Sequence, residues 1–435
     1  MMKVIKFGGT SLGTSNRIKE VAKLIQNENA IIVLSAVSGT TNKLTEIANL
    51  LYQNNKKYAK IEIKELEDFY YTLCENLFTK KEYLESSKNL IQTHFKYIDS
   101  FTEDLFTNHE EKAILAQGEL ISTALFQSYL EEINIESSLI SALDFMRIDK
   151  DLEPDEFYIK HNLERELKQL NSKLYITQGY ICRNVFGEID NLKRGGSDYT
   201  ASLIGTAILA SEIEIWTDID GMHNNDPRIV ENTFSIQNLS YDEAAELAYF
   251  GAKILHPASV FPAKQKNIPI FLKNTLEPSK VGTKIDSSAS EREFTAVAAK
   301  DSITAIKIKS GRMLLAYGFL RKIFEIFERY KTPIDVITTS EVAVSLTIDD
   351  STYLKNIKLE LENLGEVETN ENQTIICIVG NFAGNKIGTG NKIFDCFKNI
   401  PIRMISYGGS QHNVSVVVEE SRKKEALLAL NKGLF

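Results

Sequence analysis

The chain has 435 residues, with a hydrophobic content of 43% and a charged content of 25%, as is typical of a globular protein with two or three domains. Its formal net charge is −9 and it lacks any long lysine or arginine block, which argues against nucleic acid or an acidic membrane surface as a partner. No apolar stretch approaches the roughly 20 residues of a membrane-spanning helix. The four cysteines are widely scattered and show no metal-site spacing, and a strand pattern follows the first residues directly. We therefore expect a cytoplasmic protein with reduced thiols.

The first predicted strand, Val4–Phe7, ends in an unusual sequence, VIKFGGTS. Lys6 lies within the apolar run, and Gly8 and Gly9 follow it. Glycines allow the backbone to approach a ligand closely and to present N–H groups to it. A P-loop has the opposite order, with the lysine after the glycines. On these residues alone, a simple tight turn is the safer interpretation.

Strands and helices alternate over the first two-thirds of the chain. Ala30–Ser35 is a predicted buried strand that a polar turn and a helix follow, and residues 56–112 have a helical pattern. Further strands are predicted at Leu174–Gln178, at Ile213–Thr217 and, as the last of this unit, at Ile268–Leu272. This order predicts an α/β fold, an open and mostly parallel sheet with helices on both faces.

Three further segments and Glu119 could carry chemistry, and each also has a purely structural interpretation. The glycine pair in Lys193–Asp198 opens a helix, which suits an anion, although an N-cap beside a solvated arginine would look the same. Trp216–Arg228 follows a strand with three aspartates, as an ordinary polar turn also would. Lys253 lies in the apolar segment Phe250–Pro257, where it could be a snorkelling surface lysine. Glu119 could be an acid at a helix N-terminus, favoured by the helix dipole.

The last third of the chain contains an internal repeat. KIFE at Lys322–Glu325 returns as KIFD at Lys392–Asp395, and each copy reads strand, loop, helix, strand, strand, helix. This order predicts two ferredoxin-like βαββαβ domains. The apolar stripe predicted to face the core of the first copy consists of Phe319, Leu320, Ile323, Phe324 and Phe327.

The two copies are unequal, because the second lacks a fourth strand. Phe294–Ala298 is a spare apolar strand before the first copy, and we predict that it is donated to the second, so that the first small domain is inserted within the second. The composition change between Pro278 and Glu293 marks a domain boundary. The predicted domains are 1–285, 286–372 and 373–435.

Together these segments resemble, in order and over the whole length, the aspartate kinases of the amino-acid kinase family, and the repeat resembles their tandem ACT regulatory domains. The motifs are KFGGTS at 6–11, SAVSGTTN at 35–42, GE at 118–119, RGGSDYTA at 194–201, WTDIDG at 216–221, DPR at 226–228 and FGAKILHP at 250–257. The resemblance implies transfer of the γ-phosphoryl group of ATP, with Mg²⁺, to the β-carboxylate of L-aspartate. That reaction is the first step of lysine, threonine and methionine biosynthesis.

The resemblance also assigns roles to residues. Lys6 and Asp198 would be catalytic, with Lys6 contacting the phosphoryl oxygens and Asp198 orienting it. The aspartate-binding residues would be Ser35, Thr41, Glu119, Arg194 and Ser197, with Glu119 on the ammonium and Arg194 on a carboxylate. The nucleotide-binding residues would be Lys6, Gly8, Gly9, Thr217, Asp218, His223, Arg228 and Lys253. The metal would be held by ATP oxygens and water, so we expect no dedicated metal site.

The sequence departs from the family pattern before Arg194 and in the adenine pocket. Lys193 replaces a glycine, Glu188–Asn191 replaces a threonine-rich stretch, and His223 replaces a tyrosine. An imidazole can still stack on the base, so we expect nucleotide binding to be kept, with affinity and rate in question.

The first ACT copy carries the TTSE sequence seen in lysine-inhibited aspartate kinases, although Ala316 replaces a serine. The resemblance implies L-lysine as the effector and a homodimer or dimer of dimers formed through the ACT domains. The expected effector-site residues are Gly318, Phe319, Leu320, Asp335, Thr339, Ser340 and Glu341. From composition alone, Asp335 and Glu341 would be solvated acids at strand ends.

Two other functions are alternatives to a lysine-inhibited aspartate kinase. The chain could be a different amino-acid kinase, such as one acting on glutamate, although Gly118–Glu119 and the ACT repeat argue against it. It could also be a catalytically weak lysine sensor that regulates a partner kinase, as the departures would allow. A fusion to homoserine dehydrogenase is not expected, because the repeat ends the sequence and no G-x-G-x-x-G turn occurs.

Overall fold

The computed structural model describes residues 2–103, 105–170, 172–192, 195–251, 255–288, 292–313, 317–382 and 387–435. Its strands are β1 Lys3–Phe7, β2 Ala30–Leu34, β3 Ser138–Ile140, β4 Leu174–Gln178, β5 Ile181–Arg183, β6 Ile189–Asn191, β7 Ile213–Thr217, β8 Asn238–Ser240, β9 Ile270–Asn274, β10 Thr283–Asp286, β11 Phe294–Lys309, β12 Ile337–Thr339, β13 Ala343–Ile348, β14 Glu366–Gly380, β15 Met404–Tyr407 and β16 Asn413–Glu419. Its helices are α1 Ser15–Ile25, α2 Thr40–Tyr52, α3 Lys56–Leu77, α4 Lys81–Ser100, α5 Asn108–Glu132, α6 Ala142–Phe145, α7 Glu156–Leu170, α8 Gly196–Ile208, α9 Tyr241–Tyr249, α10 Pro257–Lys266, α11 Phe319–Arg329, α12 Leu354–Glu362, α13 Thr389–Asp395 and α14 Lys423–Leu434.

The chain divides into two compact units. Unit 1 comprises Met1–Met222 and Ile254–Ser287, and unit 2 comprises His223–Lys253 and Ser288–Phe435. Among the described residues of both units, no helix combines the length and the apolar character needed to cross a membrane.

Unit 1 is built on a mostly parallel sheet, as the sequence predicts. Its strands run in the order β3-β4-β2-β1-β7-β9-β10, and all neighbours pair in parallel except β9 and β10. The prediction that the strand beginning near Ile268 would be the last of this unit is wrong, because β10 follows and pairs antiparallel with β9. That short strand lies within a polar stretch, and only Thr283 and Ile285 alternate inward as buried residues.

Successive side chains of β1 lie on opposite faces of this sheet. Ile5 and Phe7 belong to the apolar core that also contains Ile63 of α3 and Ile91 of α4. Because successive strand residues point to opposite faces, Lys6 lies on the other face, where α8 packs. The predicted helical excursion is confirmed as α3 and α4.

Unit 2 contains one six-stranded antiparallel sheet, in the order β12-β13-β11-β14-β16-β15. The long strands β11 and β14 pair along their whole length, from Phe294 opposite Gly380 to Lys309 opposite Glu366. Their register shifts near Ser302, whose φ of +59° breaks the regular extended backbone. The first part of β11 therefore pairs with the β14 segment that precedes α13. The domain bounds 1–285, 286–372 and 373–435 stay a prediction.

The apolar stripe of α11 differs from the predicted one. Phe319, Ile323 and Phe327 are buried, but Leu320 is 38% exposed and Phe324 is 43% exposed. Ile326, which the prediction omitted, is buried instead. The buried face follows the spacing i, i+4, i+7, i+8, which excludes the two flanking positions.

Candidate active site

Lys6 and Asp198 meet at the carboxyl end of the central strand. The Nζ atom of Lys6 lies 2.6 Å from Oδ1 of Asp198, and Lys6 is only 8% exposed. Asp198 is in the first turn of α8, where the helix dipole favours a carboxylate. Strand β1 lies between β2 and β7, so the pair is at the point where strand order reverses, which is where open α/β sheets bind ligands.

The turn after β1 brings the backbone close to this pair. The N–H of Gly8 donates a hydrogen bond to the carbonyl of Trp216 over 3.2 Å. A Cβ atom on Gly8 would lie 3.5 Å from Nζ of Lys6, and one on Gly9 would lie 2.8 Å from the carbonyl oxygen of Ala36. Gly9 is therefore required by close packing against the β2 loop, whereas Gly8 borders the lysine.

The start of α8 also packs tightly against the strand ends. Ser35 donates a hydrogen bond from its Oγ atom to Oγ of Ser197 over 2.9 Å. A Cβ atom on Gly179 would lie 2.3 Å from Cβ of Ser197, so only glycine fits after β4. Sequence reasoning did not identify Gly179, and the signal available was a glycine directly after a buried strand.

Glu119 does not lie at a helix N-terminus, so that interpretation is wrong. It is in the middle of α5 and is 3% exposed. Its Oε1 atom accepts a hydrogen bond from the N–H of Ala36 over 3.2 Å, whereas Oε2 is buried without a partner among the described residues. Burial raises the pKa of this carboxyl to about 8. A buried carboxyl with an unpartnered oxygen, next to the loop of Ser35 and Ala36 that follows β2 (the Ser35 loop), suits a positively charged ligand.

Thr41 and Thr40 have different environments in the first turn of α2. Thr41 is exposed, whereas Thr40 is buried and its hydroxyl hydrogen-bonds that of Tyr70 over 2.8 Å. Thr40 thus fixes the turn, and Thr41 projects its side chain away from the core.

The predicted nucleotide residues of unit 1 lie after β7, the neighbour of β1. Thr217 accepts a hydrogen bond at Oγ1 from the N–H of Ile219 over 3.1 Å, and Asp218 is exposed. The carbonyl of Thr217 also accepts from the N–H of Thr275, whose hydroxyl lies 2.7 Å from that of Ser11. This buried hydroxyl pair, which sequence reasoning missed, ties the segment after β9 to the glycine turn.

The remaining predicted nucleotide residues do not belong to the described part of unit 1. His223 and Arg228 belong to unit 2, where Nδ1 of His223 is 3.0 Å from the Thr233 hydroxyl and Arg228 makes a two-pronged ion pair with Asp226. Arg194 and Lys253, together with Lys193 and Ala316 among the departures, lie outside the described residues.

The predicted effector residues lie in unit 2. Gly318 caps α11 with a φ of +77°, Thr339 and Ser340 line a cavity of about 580 Å³, and Glu341 is exposed. The side chain of Asp335 is only 1% exposed, so the interpretation of Asp335 as a solvated acid is wrong.

Comparison with known proteins shows the family of the chain. Residues 1–274 match the amino acid kinase family and residues 376–434 match the ACT domain. Lysine-sensitive aspartokinase 3 of Escherichia coli (strain K12) is 32% identical over 450 residues, which cover 99% of each chain. The crystal structure of E. coli aspartokinase III in complex with aspartate and ADP (R-state) superimposes with a TM-score of 0.88 at 30% identity, covering 100% of both chains. The structure of that enzyme with lysine and aspartate (T-state) gives a TM-score of 0.80 at 31% identity, covering 100% of this chain and 99% of the other. The chain therefore belongs to the amino acid kinase family and, within it, to the aspartokinases.

Proposed function

We propose that this chain is an ATP-dependent aspartate kinase that phosphorylates the β-carboxylate of L-aspartate to give 4-phospho-L-aspartate. The observation that carries the proposal is the Lys6–Asp198 pair, held beside a glycine turn at the carboxyl end of β1. The ligands of the similar E. coli structure, aspartate and ADP, support the same pair of reactants.

The reaction needs positive charge more than it needs a base. A β-carboxylate has an ordinary pKa of about 3.9, so the nucleophile is already ionised at neutral pH. The obstacle is the approach of two anions and the charge on the transferring group. Lys6 supplies a cation at this point and Asp198 fixes its amine. The N–H of Gly9 would contact phosphoryl oxygens, whereas that of Gly8 is bonded to the Trp216 carbonyl.

Substrate recognition would use the residues around the Ser35 loop. Glu119 would accept the ammonium of L-aspartate at its unpartnered Oε2 atom, and the Ser35 and Ser197 hydroxyls would contact the amino acid. Arg194 would bind a carboxylate through its planar guanidinium group. The assignments of Thr41, Thr217, Asp218, His223, Arg228 and Lys253 are proposals from family correspondence.

Mg²⁺ would accompany ATP. Among the described residues, no group of three or more His, Cys, Asp or Glu side chains is placed to hold a metal ion. The proposed ion would be held mainly by phosphate oxygens and water, which is the usual behaviour of Mg²⁺ with nucleotides. Bound there, the ion would neutralise charge on the phosphates.

We further propose that L-lysine is a feedback inhibitor that binds at the first ACT copy, and that the ACT copies mediate a homodimer or a dimer of dimers. The TTSE segment and the similarity to the lysine-sensitive E. coli aspartokinase 3 support the proposal that lysine is the inhibitor. Inhibition requires that lysine bind one state of the enzyme more tightly than the other.

One assay tests the reaction and its regulation. The purified chain is incubated with ATP, Mg²⁺ and L-aspartate, and acyl phosphate is trapped as the hydroxamate, with L-glutamate as the comparison substrate. We expect product with aspartate but not with glutamate, and loss of product on titration with lysine. No product with aspartate would refute the kinase proposal, and full activity at millimolar lysine would refute the regulatory one.

A further inference from the structure

The carboxylate of Asp335 is already bonded within the chain. Its Oδ1 atom lies 2.7 Å from Nζ of Lys300 and accepts a hydrogen bond from the Tyr249 hydroxyl over 3.0 Å. Its Oδ2 atom is buried and has no partner within the part of the chain that the structure describes. One oxygen of Asp335, which is among the expected effector-site residues and could accept an effector's ammonium, is thus already paired with an ammonium of the protein itself.

The charges at this cluster do not balance. Lys300 also lies 2.8 Å from Oδ2 of Asp349, so within the described part of the chain one ammonium serves two carboxylates and leaves one negative charge uncompensated. Burial raises the pKa of Asp335 even though the Lys300 ion pair acts to lower it. Burial would by itself lower the pKa of Lys300, but its two carboxylate partners more than offset this and raise it. The negative charge of Asp335 is therefore only partly compensated, whereas Lys300 is stabilised in its protonated form.

Among the residues that the structure describes, the other polar groups around the cluster do not supply the missing charge. Asp335 lines a cavity of about 260 Å³ together with Glu246, Tyr249, Ser410 and Asn413. Glu246 accepts a hydrogen bond from the side-chain amide of Asn413 over 2.9 Å. The ring of Tyr249 faces Lys300, with Nζ 4.7 Å from the ring centroid, which further favours the charged lysine at its present position.

We propose that Lys300 is an internal competitor for the effector's ammonium and that Asp349, by sharing Lys300, weakens this competition. The inference rests on the proposed lysine regulation and adds the residues that set its sensitivity. An ammonium arriving at Oδ2 of Asp335 is repelled by the charge of Lys300, and one arriving at Oδ1 must displace it. In both cases the positive charge of Lys300 opposes effector binding, and Asp349 offers Lys300 an alternative partner.

Lys300→Met tests the competition directly, since methionine keeps most of the side-chain volume without the charge. We expect half-maximal inhibition at a lysine concentration lower by at least about fivefold, the low end of typical coupling between sites. The turnover and the aspartate KM without lysine should stay at wild-type values. Unchanged or weaker inhibition in this variant would overturn the proposal.

Asp349→Asn gives a second and opposite readout. Lys300 would then have Asp335 as its only carboxylate partner in the cluster, so we expect about threefold more lysine for half-maximal inhibition. Lys423→Met is the matched control, because Lys423 is as exposed as Lys300, at 20%, and pairs with a different carboxylate, Asp301. Its lysine response should equal that of the wild type.

Different outcomes test the competition by Lys300 and the underlying proposals of kinase activity and lysine inhibition. A wild-type chain with no kinase activity, or with activity that lysine does not reduce, would contradict the proposed function or regulation. A lysine-inhibited wild type in which Lys300→Met and Asp349→Asn shift inhibition in the same direction, or not at all, would overturn the competition alone.

Discussion

Nζ of Lys6 lies 2.6 Å from Oδ1 of Asp198, so the end of β1 and the first turn of α8 are joined by an ion pair at the proposed reaction centre. We predict that Lys6→Met lowers hydroxamate formation by about a thousandfold or more, since it removes the cation that offsets transition-state charge. Thermal unfolding should change little.

Lys3→Met is the control for that variant. Lys3 lies in the same strand but pairs with Glu28, Glu212 and Glu214. It should retain wild-type turnover. Near-normal activity of Lys6→Met, or equal loss in both variants, would contradict the role of Lys6.

The raised pKa of Glu119, about 8, predicts a pH-dependent affinity for aspartate. Below this pKa the carboxyl holds a proton that must leave before it can pair with the substrate ammonium. The aspartate KM should therefore fall as pH rises, by up to about tenfold per unit, and level off above pH 8. Glu119→Gln should raise KM and flatten the profile, while Glu132→Gln, at a buried acid on the same helix, should keep the pH dependence. A wild-type aspartate KM that does not change between pH 6.5 and 8.5 would contradict this prediction.

The same pKa predicts a stability effect. A carboxyl whose folded-state pKa is raised binds its proton more tightly when folded, so its contribution to stability falls as pH rises from about 4.5 to about 8. Without ligands, Glu119→Gln should unfold at a higher temperature than the wild type at pH 9, by several degrees, and the difference should shrink at pH 5. Scanning calorimetry at both pH values measures this, and a constant difference would contradict it.

The two glycines after β1 should respond differently to alanine. Gly9→Ala places its Cβ atom 2.8 Å from the Ala36 carbonyl oxygen, so we expect a clear drop in Tm and in activity. Gly8 has a φ of −72°, which alanine adopts freely, and its Cβ atom would make an ordinary contact with Lys6. Gly8→Ala should keep the wild-type Tm while raising the ATP KM, and equal Tm losses in both variants would be evidence against this packing.

Much of the fold follows from periodicity along the sequence. The buried runs that form β1, β2, β4 and β7, and the repeat that forms the ACT sheet, carry strong local patterns. Strand β10 was missed because its inward positions are a threonine and an isoleucine within a polar stretch. The error in the predicted apolar stripe of α11 arose because amino-acid type alone does not show which flank of a helix packs against the sheet.

The site was less accessible from sequence than the fold. The motifs pointed to Lys6, Asp198, Ser35 and Ser197, which the structure brings together, and their roles stay predictions. The burial of Glu119 and the close approach of Gly179 to Ser197 depend on how distant segments pack. The pairing of Asp335 with Lys300 joins β11 to the segment before β12, a contact that no local pattern records.

The pairing of β11 with β14 from end to end limits how this chain can be truncated or recombined. Phe294–Lys300 pairs with the β14 segment that ends at Gly380, whereas Ile303–Lys309 pairs with the segment that starts at Glu366. One strand pair therefore spans both halves of the sheet, and excising one half would remove a partner strand from the other and expose an apolar sheet edge. Truncated or chimeric variants should therefore keep or replace the region from Phe294 to the end of α14 as a whole.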